Sequence, residues 1–257
     1  MNATTFLLAL LVAVAAVPAK AETLIVALST QQVRISSNFT GSSITVFGAI
    51  ERDAATVSRA SFYDVVVVVK GPAETFVTRK KDRFLGVWLN RSSRTFVNVP
   101  SFYSVHSSRP LDQVTTPQLR KRYQLGADQL VFPVAVDGGA ETAEAGDEFR
   151  EAFIKLKSDA RLYQSHPYAV SFPGAEIFQT AIDLPANVPT GRYVATVYLF
   201  RDGAMLASKE EPIIVVKTGF EQASYNLAQS QGFVYGLAVV VLAIFTGWLA
   251  GVIFRRD

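Results

Sequence analysis

Hydrophobic positions along the chain fall into two patterns. Residues 6–17 (FLLALLVAVAAV) and 232–254 (GFVYGLAVVVLAIFTGWLAGVIF) are unbroken apolar runs, whereas between them apolar residues come in short groups bounded by Ser, Gly, Asp or Asn. Groups rich in β-branched and aromatic residues lie at 23–29, 33–36, 44–51, 65–70, 75–78, 85–90 and 95–99, then at 168–172, 176–184, 192–200 and 204–217, and each predicts a strand. Val65 to Val69 are five valines in succession, so this strand should be buried on both faces. Arg201-Asp202-Gly203 has the chemistry of a hairpin turn.

The pattern changes near Pro110. Thr116 and Pro117 ahead of residues 118–125, closed by Gly126, predict a short capped helix, and Asp137-Gly138-Gly139 predicts a loop. From 147 to 164 the apolar residues Phe149, Phe153, Leu156, Ala160 and Tyr163 recur every three or four positions, predicting an amphipathic helix with one face on a core. Pro189-Thr190-Gly191-Arg192-Tyr193 delivers a tyrosine from a turn into a strand, similar to the tyrosine corner of Ig-like sandwiches. The expected fold is mainly β: one Ig-like β-sandwich spanning 22–225 with a helical insertion at about 108–166. Two small packed domains are the alternative.

The apolar ends set the topology. Residues 6–17 are too short to cross a hydrocarbon core of about 30 Å as a helix, and Ala19-Lys20-Ala21 offers an A-x-A cleavage site, so 1–21 reads as a secretory signal. Its weak point is residues 1–5, which contain no lysine or arginine; an uncleaved anchor or a buried helix is the competing reading. Residues 232–254 are uncharged and long enough to span. Arg255-Arg256 follow at once, which predicts a cytoplasmic tail at 255–257 and places 22–225 outside the cytoplasm.

Composition narrows the chemistry. The 257 residues carry a formal charge of +3, and without Lys20 and the last three residues the balance is nearly neutral, so no nucleic-acid footprint is expected. There is no cysteine, which removes disulfides, thiolate catalysis and cysteine metal sites, and with only His106 and His166 most histidine metal clusters go too. No serine hydrolase elbow, P-loop, dinucleotide fingerprint or zinc HExxH motif is present. His106 lies near Ser104, Ser107, Ser108 and Asp112, a set that spacing alone cannot make a triad. His166, ahead of Pro167, reads as a polar loop residue. The acidic loop of Glu141, Glu144, Asp147 and Glu148 could bind a cation weakly, but reads more simply as the solvated start of a helix. No catalytic residue, cofactor or metal is expected.

Interaction chemistry is left. Arg79, Lys80, Lys81 and Arg83 place four cations in five residues between strands, and residues 119–123 add three more; an anionic headgroup, an acidic partner, or plain solvation would each suit them. Phe102 and Tyr103, adjacent aromatics beside Pro100, are candidates for a partner surface. In the apolar run at 232–254, Gly236, Ala243, Gly247 and Gly251 share one face and would permit close approach of a second helix.

Residues 71–90, 99–111, 149–163, 184–203 and 232–256 together resemble the alphaproteobacterial putative transmembrane protein family. That resemblance implies a Gram-negative inner membrane with the bulk of the chain in the periplasm, and no catalytic residue to carry over. It also implies a neighbourhood of sulfite-exporter-like permeases. The expected function is a membrane-anchored, non-enzymatic interaction module, an accessory subunit of a permease-like transporter or envelope complex, or one that self-associates through its span. The alternative is a tethered solute-binding or hydrolytic protein, which would need His106, Arg79 or the acidic loop gathered around a deep polar pocket.

Overall fold

A computed structural model describes residues 22–36, 39–51, 62–84, 86–136, 139–218 and 228–253. The expected signal at 1–21, the tail expected to be cytoplasmic at 255–257, and Asp137 and Gly138 of the expected loop lie outside these residues. The strands are β1 (Thr23–Leu28), β2 (Gln32–Ile35), β3 (Gly41–Glu51), β4 (Asp64–Lys70), β5 (Ala73–Phe84), β6 (Val87–Pro100), β7 (Tyr103–Ser107), β8 (Pro133–Val136), β9 (Gly139–Thr142), β10 (Tyr163–Pro167), β11 (Ile177–Pro185), β12 (Gly191–Arg201) and β13 (Ala204–Lys217). The helices are α1 (Leu111–Val114), α2 (Pro117–Tyr123), α3 (Glu148–Asp159) and α4 (Gly232–Ile253).

Strict alternation builds the first sheet, in the order β1-β3-β11. In β11, Phe178, Thr180, Ile182 and Leu184 point inward and are buried, while their neighbours in sequence face solvent. The second sheet runs β10-β7-β4-β12-β13-β2, with β4 between β7 and β12. Val67 pairs with Val197 and His106, on the face that meets the first sheet: there His106 bonds Thr180 of β11. Val66 pairs with Tyr198 on the opposite face, where Tyr198 meets Tyr123 of α2 at 5.3 Å between ring centroids. Both faces of β4 are therefore covered, and Val65 to Val69 are at most 1% exposed, as a run without polar alternation requires.

The topology is that of an Ig-like sandwich. Strands β1, β3 and β11 take the places of A, B and E, facing β4, β12 and β13 in the places of C, F and G. The Tyr193 hydroxyl donates to the Pro189 carbonyl at 2.5 Å and its ring is fully buried, closing the tyrosine corner at the entry to β12. Asp202 and Gly203, both with positive φ, make the tight turn from β12 into β13.

Two excursions leave the sandwich between β4 and β11. The segments expected as strands at 75–78, 85–90 and 95–99 are parts of one long hairpin, β5–β6, which forms a separate sheet in the order β5-β6-β8-β9. The stretch 108–166 supplies α1, α2 and α3, but also the hairpin β8–β9, around the expected loop. Helix α3 starts where expected, its N-cap Asp147 accepting hydrogen bonds from the Phe149 and Arg150 amides. It stops at Asp159, short of 164, because Arg161 adopts a left-handed conformation that turns the chain, so Tyr163 opens β10. Tyr168 is left-handed too, which ends β10; the strand expected at 168–172 is reduced to a bridge between Ser171 and Gln179. Phe153 anchors α3 to the hairpin, its ring 5.3 Å from Phe76 and 5.6 Å from both Phe96 and Phe132.

Candidate functional site

The hairpin β5–β6 carries the expected basic run, but as a strand and not a turn. The reversal occurs at Gly86, whose φ of +84° suits glycine, so Arg79 to Arg83 occupy the distal half of β5. Strand pleating then sorts the charges. Lys80 points to α3 and pairs with Glu148 at 2.8 Å, a bond that holds its ammonium above the ordinary lysine range. Arg79, Lys81 and Arg83 alternate with it along β5 and project from the other face, opposite Ser93, Asn90 and Trp88 of β6; the register shifts between Lys80 and Lys81, where β6 carries the one extra residue and β5 continues unbroken. None of these three cations has an ion pair among the described residues. At the tip, Val87, Trp88 and Leu89 are 59%, 66% and 49% exposed.

Phe102 and Tyr103 are not a surface. Both are fully buried. Phe102 packs on Tyr193 at 5.8 Å, and the Tyr103 hydroxyl donates to the Gln124 carbonyl and accepts from the Gly126 amide, each at 2.8 Å. The base of the hairpin folds over them, the Gly71 amide donating to the Phe102 carbonyl, so the tyrosine corner takes one aromatic and the end of α2 the other. Burial pushes the Tyr103 phenol well above its ordinary value.

Helix α4 has no buried residue, and a side chain added at Gly236, Gly247 or Gly251 would meet nothing within 4 Å. The face formed by these glycines and Ala243 is thus unobstructed by the chain's other described parts. Among those parts, α4 alone is long and apolar enough to cross a membrane.

The residues needed for a catalytic or solute-binding pocket are dispersed. His106 sits between the two sheets, its Nε2 3.0 Å from the Ser104 hydroxyl and its Nδ1 3.1 Å from that of Thr180. The Ser–His pairing has the spacing of a nucleophile and its base, but a threonine stands where a triad has a carboxylate. Ser104 is wholly buried and His106 is 4% exposed. Burial, then the neighbouring His166, lower the His106 pKa to about 4, so the ring is neutral at pH 7. His166 lies on β10, an edge strand and not a loop, its ring 4.8 Å from that of His106. It lines a cleft of about 620 Å³ with Arg161 and Asp183. Glu141, Glu144 and Asp147 line a different cleft, of about 740 Å³, where Asp147 is taken up by Arg94 and the α3 cap. Among the described residues no three His, Cys, Asp or Glu side chains converge on a metal position. In α2, Arg120 pairs with Asp128 at 3.5 Å and Arg122 lies over Tyr123, so that second basic run is partly absorbed locally.

The apolar tip was missed by sequence reasoning, although two signals were available: the glycine at 86, and the spacing of two between Arg79, Lys81 and Arg83 that marks a single strand face.

The model of an alphaproteobacterial family described as putative transmembrane protein (Alph_Pro_TM) matches residues 23–256, and the chain belongs to that family. No curated protein matches the chain in sequence. Among solved structures, it is similar to AggA, the major subunit of aggregative adherence fimbriae type I from Escherichia coli, at 10% identity and a TM-score of 0.27, covering 77% of this chain and 97% of that one. It is also similar to BcpA, the major pilin subunit of Bacillus cereus, at 15% identity and a TM-score of 0.27, covering 77% of this chain and 40% of that one.

Proposed function

We propose that this family member is a non-enzymatic interaction module tethered to the inner membrane by α4. In this reading the signal is cut after Ala21, residues 22–225 stand in the periplasm and Arg255-Arg256 face the cytoplasm. The module serves a permease-like transporter or an envelope complex as an accessory subunit, or joins a second copy of itself. The observation that supports it best is the pairing of one fully exposed, apolar 22-residue helix with an Ig-like domain that projects a long basic hairpin. The buried polar groups of that domain tie structural elements together, His106 by its bond to Thr180 and Asp64 by its pairing with the half-exposed Arg109.

The face of α4 bearing Gly236, Ala243, Gly247 and Gly251 gives the module a second way to recognise a membrane protein, since packing of small residues drives association of helices already in lipid. Replacing Gly247 and Gly251 by leucine should leave insertion intact, because leucine favours the membrane, and should abolish co-purification of the partner or of a second tagged copy. A double variant that retains its partner would make α4 an anchor only. N-terminal sequencing of the mature protein should begin at Glu22; a retained Met1 would overturn the assigned topology.

A further inference from the structure

We propose that the outer face and tip of the β5–β6 hairpin dock on the anionic lipid surface of the membrane in which α4 is held. The inference rests on the membrane-tethered reading and adds a second point of contact to it. Three observations carry it. Charge is sorted by the pleat: Lys80 is spent on Glu148, while Arg79, Lys81 and Arg83 line the opposite face about 7 Å apart. Their register partners Ser93, Asn90 and Trp88 include no carboxylate, and the one acidic residue of the run, Asp82, alternates with them onto the Lys80 face, so the outer face carries three cations and no acidic strand neighbour.

The tip is the second observation. Val87, Trp88 and Leu89 are exposed in succession just past the turn, where they cover no core; Trp88, opposite Arg83, lies on the face of the three cations, and Val87 and Leu89 flank it on the other face of the tip. A solvated hairpin has no use for such a group, and a purely polar acidic patch would pair with the cations and leave it wet. A bilayer surface takes both, since tryptophan is favoured at the headgroup level and basic residues beside it meet anionic headgroups.

Reach is the third. The fourteen residues between β13 and α4 can span at most about 50 Å. The twelve-residue β5 arm is itself about 40 Å long, so the tip can touch the membrane that the tether keeps nearby. Tethering makes the contact intramolecular, so individually weak headgroup contacts suffice.

The test uses the full chain. Tryptophan occurs only at positions 88 and 248, so a Trp248→Phe variant reports on Trp88 alone. It is placed in phosphatidylcholine vesicles with and without phosphatidylglycerol, β domain outward, and Trp88 emission and acrylamide quenching are read. Trp88 should be blue-shifted and shielded only in the anionic vesicles, and added salt should reverse the effect. At about fivefold per cation, the variant Arg79→Gln/Lys81→Gln/Arg83→Gln should lower the docked-to-free ratio about a hundredfold, whereas Lys80→Gln should leave it nearly unchanged. Circular dichroism of each variant checks that the domain is folded. Equal quenching in neutral and anionic vesicles, or an unaffected triple variant, overturns the proposal. So does shielding that requires added membrane proteins, which would identify an acidic protein as the partner. Partner co-purification through α4 is read separately, so either idea can fail while the other stands.

Discussion

Acidification should loosen the β-sandwich through His106. This ring is held between the sheets by Thr180 on one nitrogen and Ser104 on the other. The ionisable neighbours facing it are His166, which disfavours its cation, and Asp183, which favours it; burial, reinforced by His166 and opposed only by Asp183, brings its pKa from 6.5 to about 4. In the unfolded chain the same group titrates at its ordinary value. Between these two values the unfolded state binds more protons, so stability rises with pH in that window, is fully present above pH 6.5, and is lost as pH falls towards 4. The two pKa values give a loss of about 2 kcal/mol at pH 5 and about 3 kcal/mol at pH 4. With a urea slope of about 2 kcal/mol per molar, the unfolding midpoint should drop by about 1 M between neutral pH and pH 5. Carboxylates contribute to the same trend, so the diagnostic quantity is the difference between the parent and His106→Gln, in which this component of the pH dependence should vanish. Because only two histidines are present, an NMR titration of ring carbons resolves both, with His166→Gln supplying the assignment. A His106 resonance that titrates near pH 6.5 in the folded protein, or parallel pH profiles for parent and variant, would refute the argument.

Tyr193→Phe removes the bond to the Pro189 carbonyl and should cost about 0.5–1.5 kcal/mol in urea unfolding; an unchanged midpoint would deny the corner its structural role. At Gly48 an added Cβ would lie 2.3 Å from the Ile25 carbonyl oxygen and 2.6 Å from the Phe178 ring. Backbone cannot yield there as a flexible side chain could, so Gly48→Ala should destabilise by about 1–3 kcal/mol, against a near-neutral Gly139→Ala, where nothing lies within 4 Å.

Much of the fold can be read from local pattern because the pattern reports burial directly. Five valines without a polar break demand cover on both faces, and the sheet on one side and α2 on the other provide it. The tyrosine corner is equally local, its donor and acceptor four residues apart. Strand partners are a different matter. The β5–β6 arms have the same period-two alternation as sandwich strands, and although Gly86 marks a reversal between them, nothing within residues 73–100 states that the hairpin joins β8 in a sheet of its own, leaving the sandwich to the others. The α3–β10 boundary was hidden for a similar reason: Tyr163 fits the helical stripe, and only the left-handed turn at Arg161 moves it onto a strand.

The candidate surface shows where composition stops and geometry begins. As a list of residues, Arg79-Lys80-Lys81-Asp82-Arg83 is one dense cluster of cations, and Phe102-Tyr103 is one exposed aromatic pair. Placed on a pleated strand, the cluster separates into an inward half, where Lys80 binds Glu148, and an outward half that remains free to act at a distance. The aromatic pair vanishes into the core because two long-range partners, Tyr193 and the C-terminal end of α2, each claim one ring. Exposed apolar area ends up instead at Val87 to Leu89, where the chain has just turned and has no second layer to cover it. Three cations on one face and an uncovered tryptophan at its end make a surface that a neutral, water-filled setting would not favour. Under the proposed tethering, the apolar helix fourteen residues past the last strand would hold this surface near a charged bilayer, which accepts both cations and tryptophan.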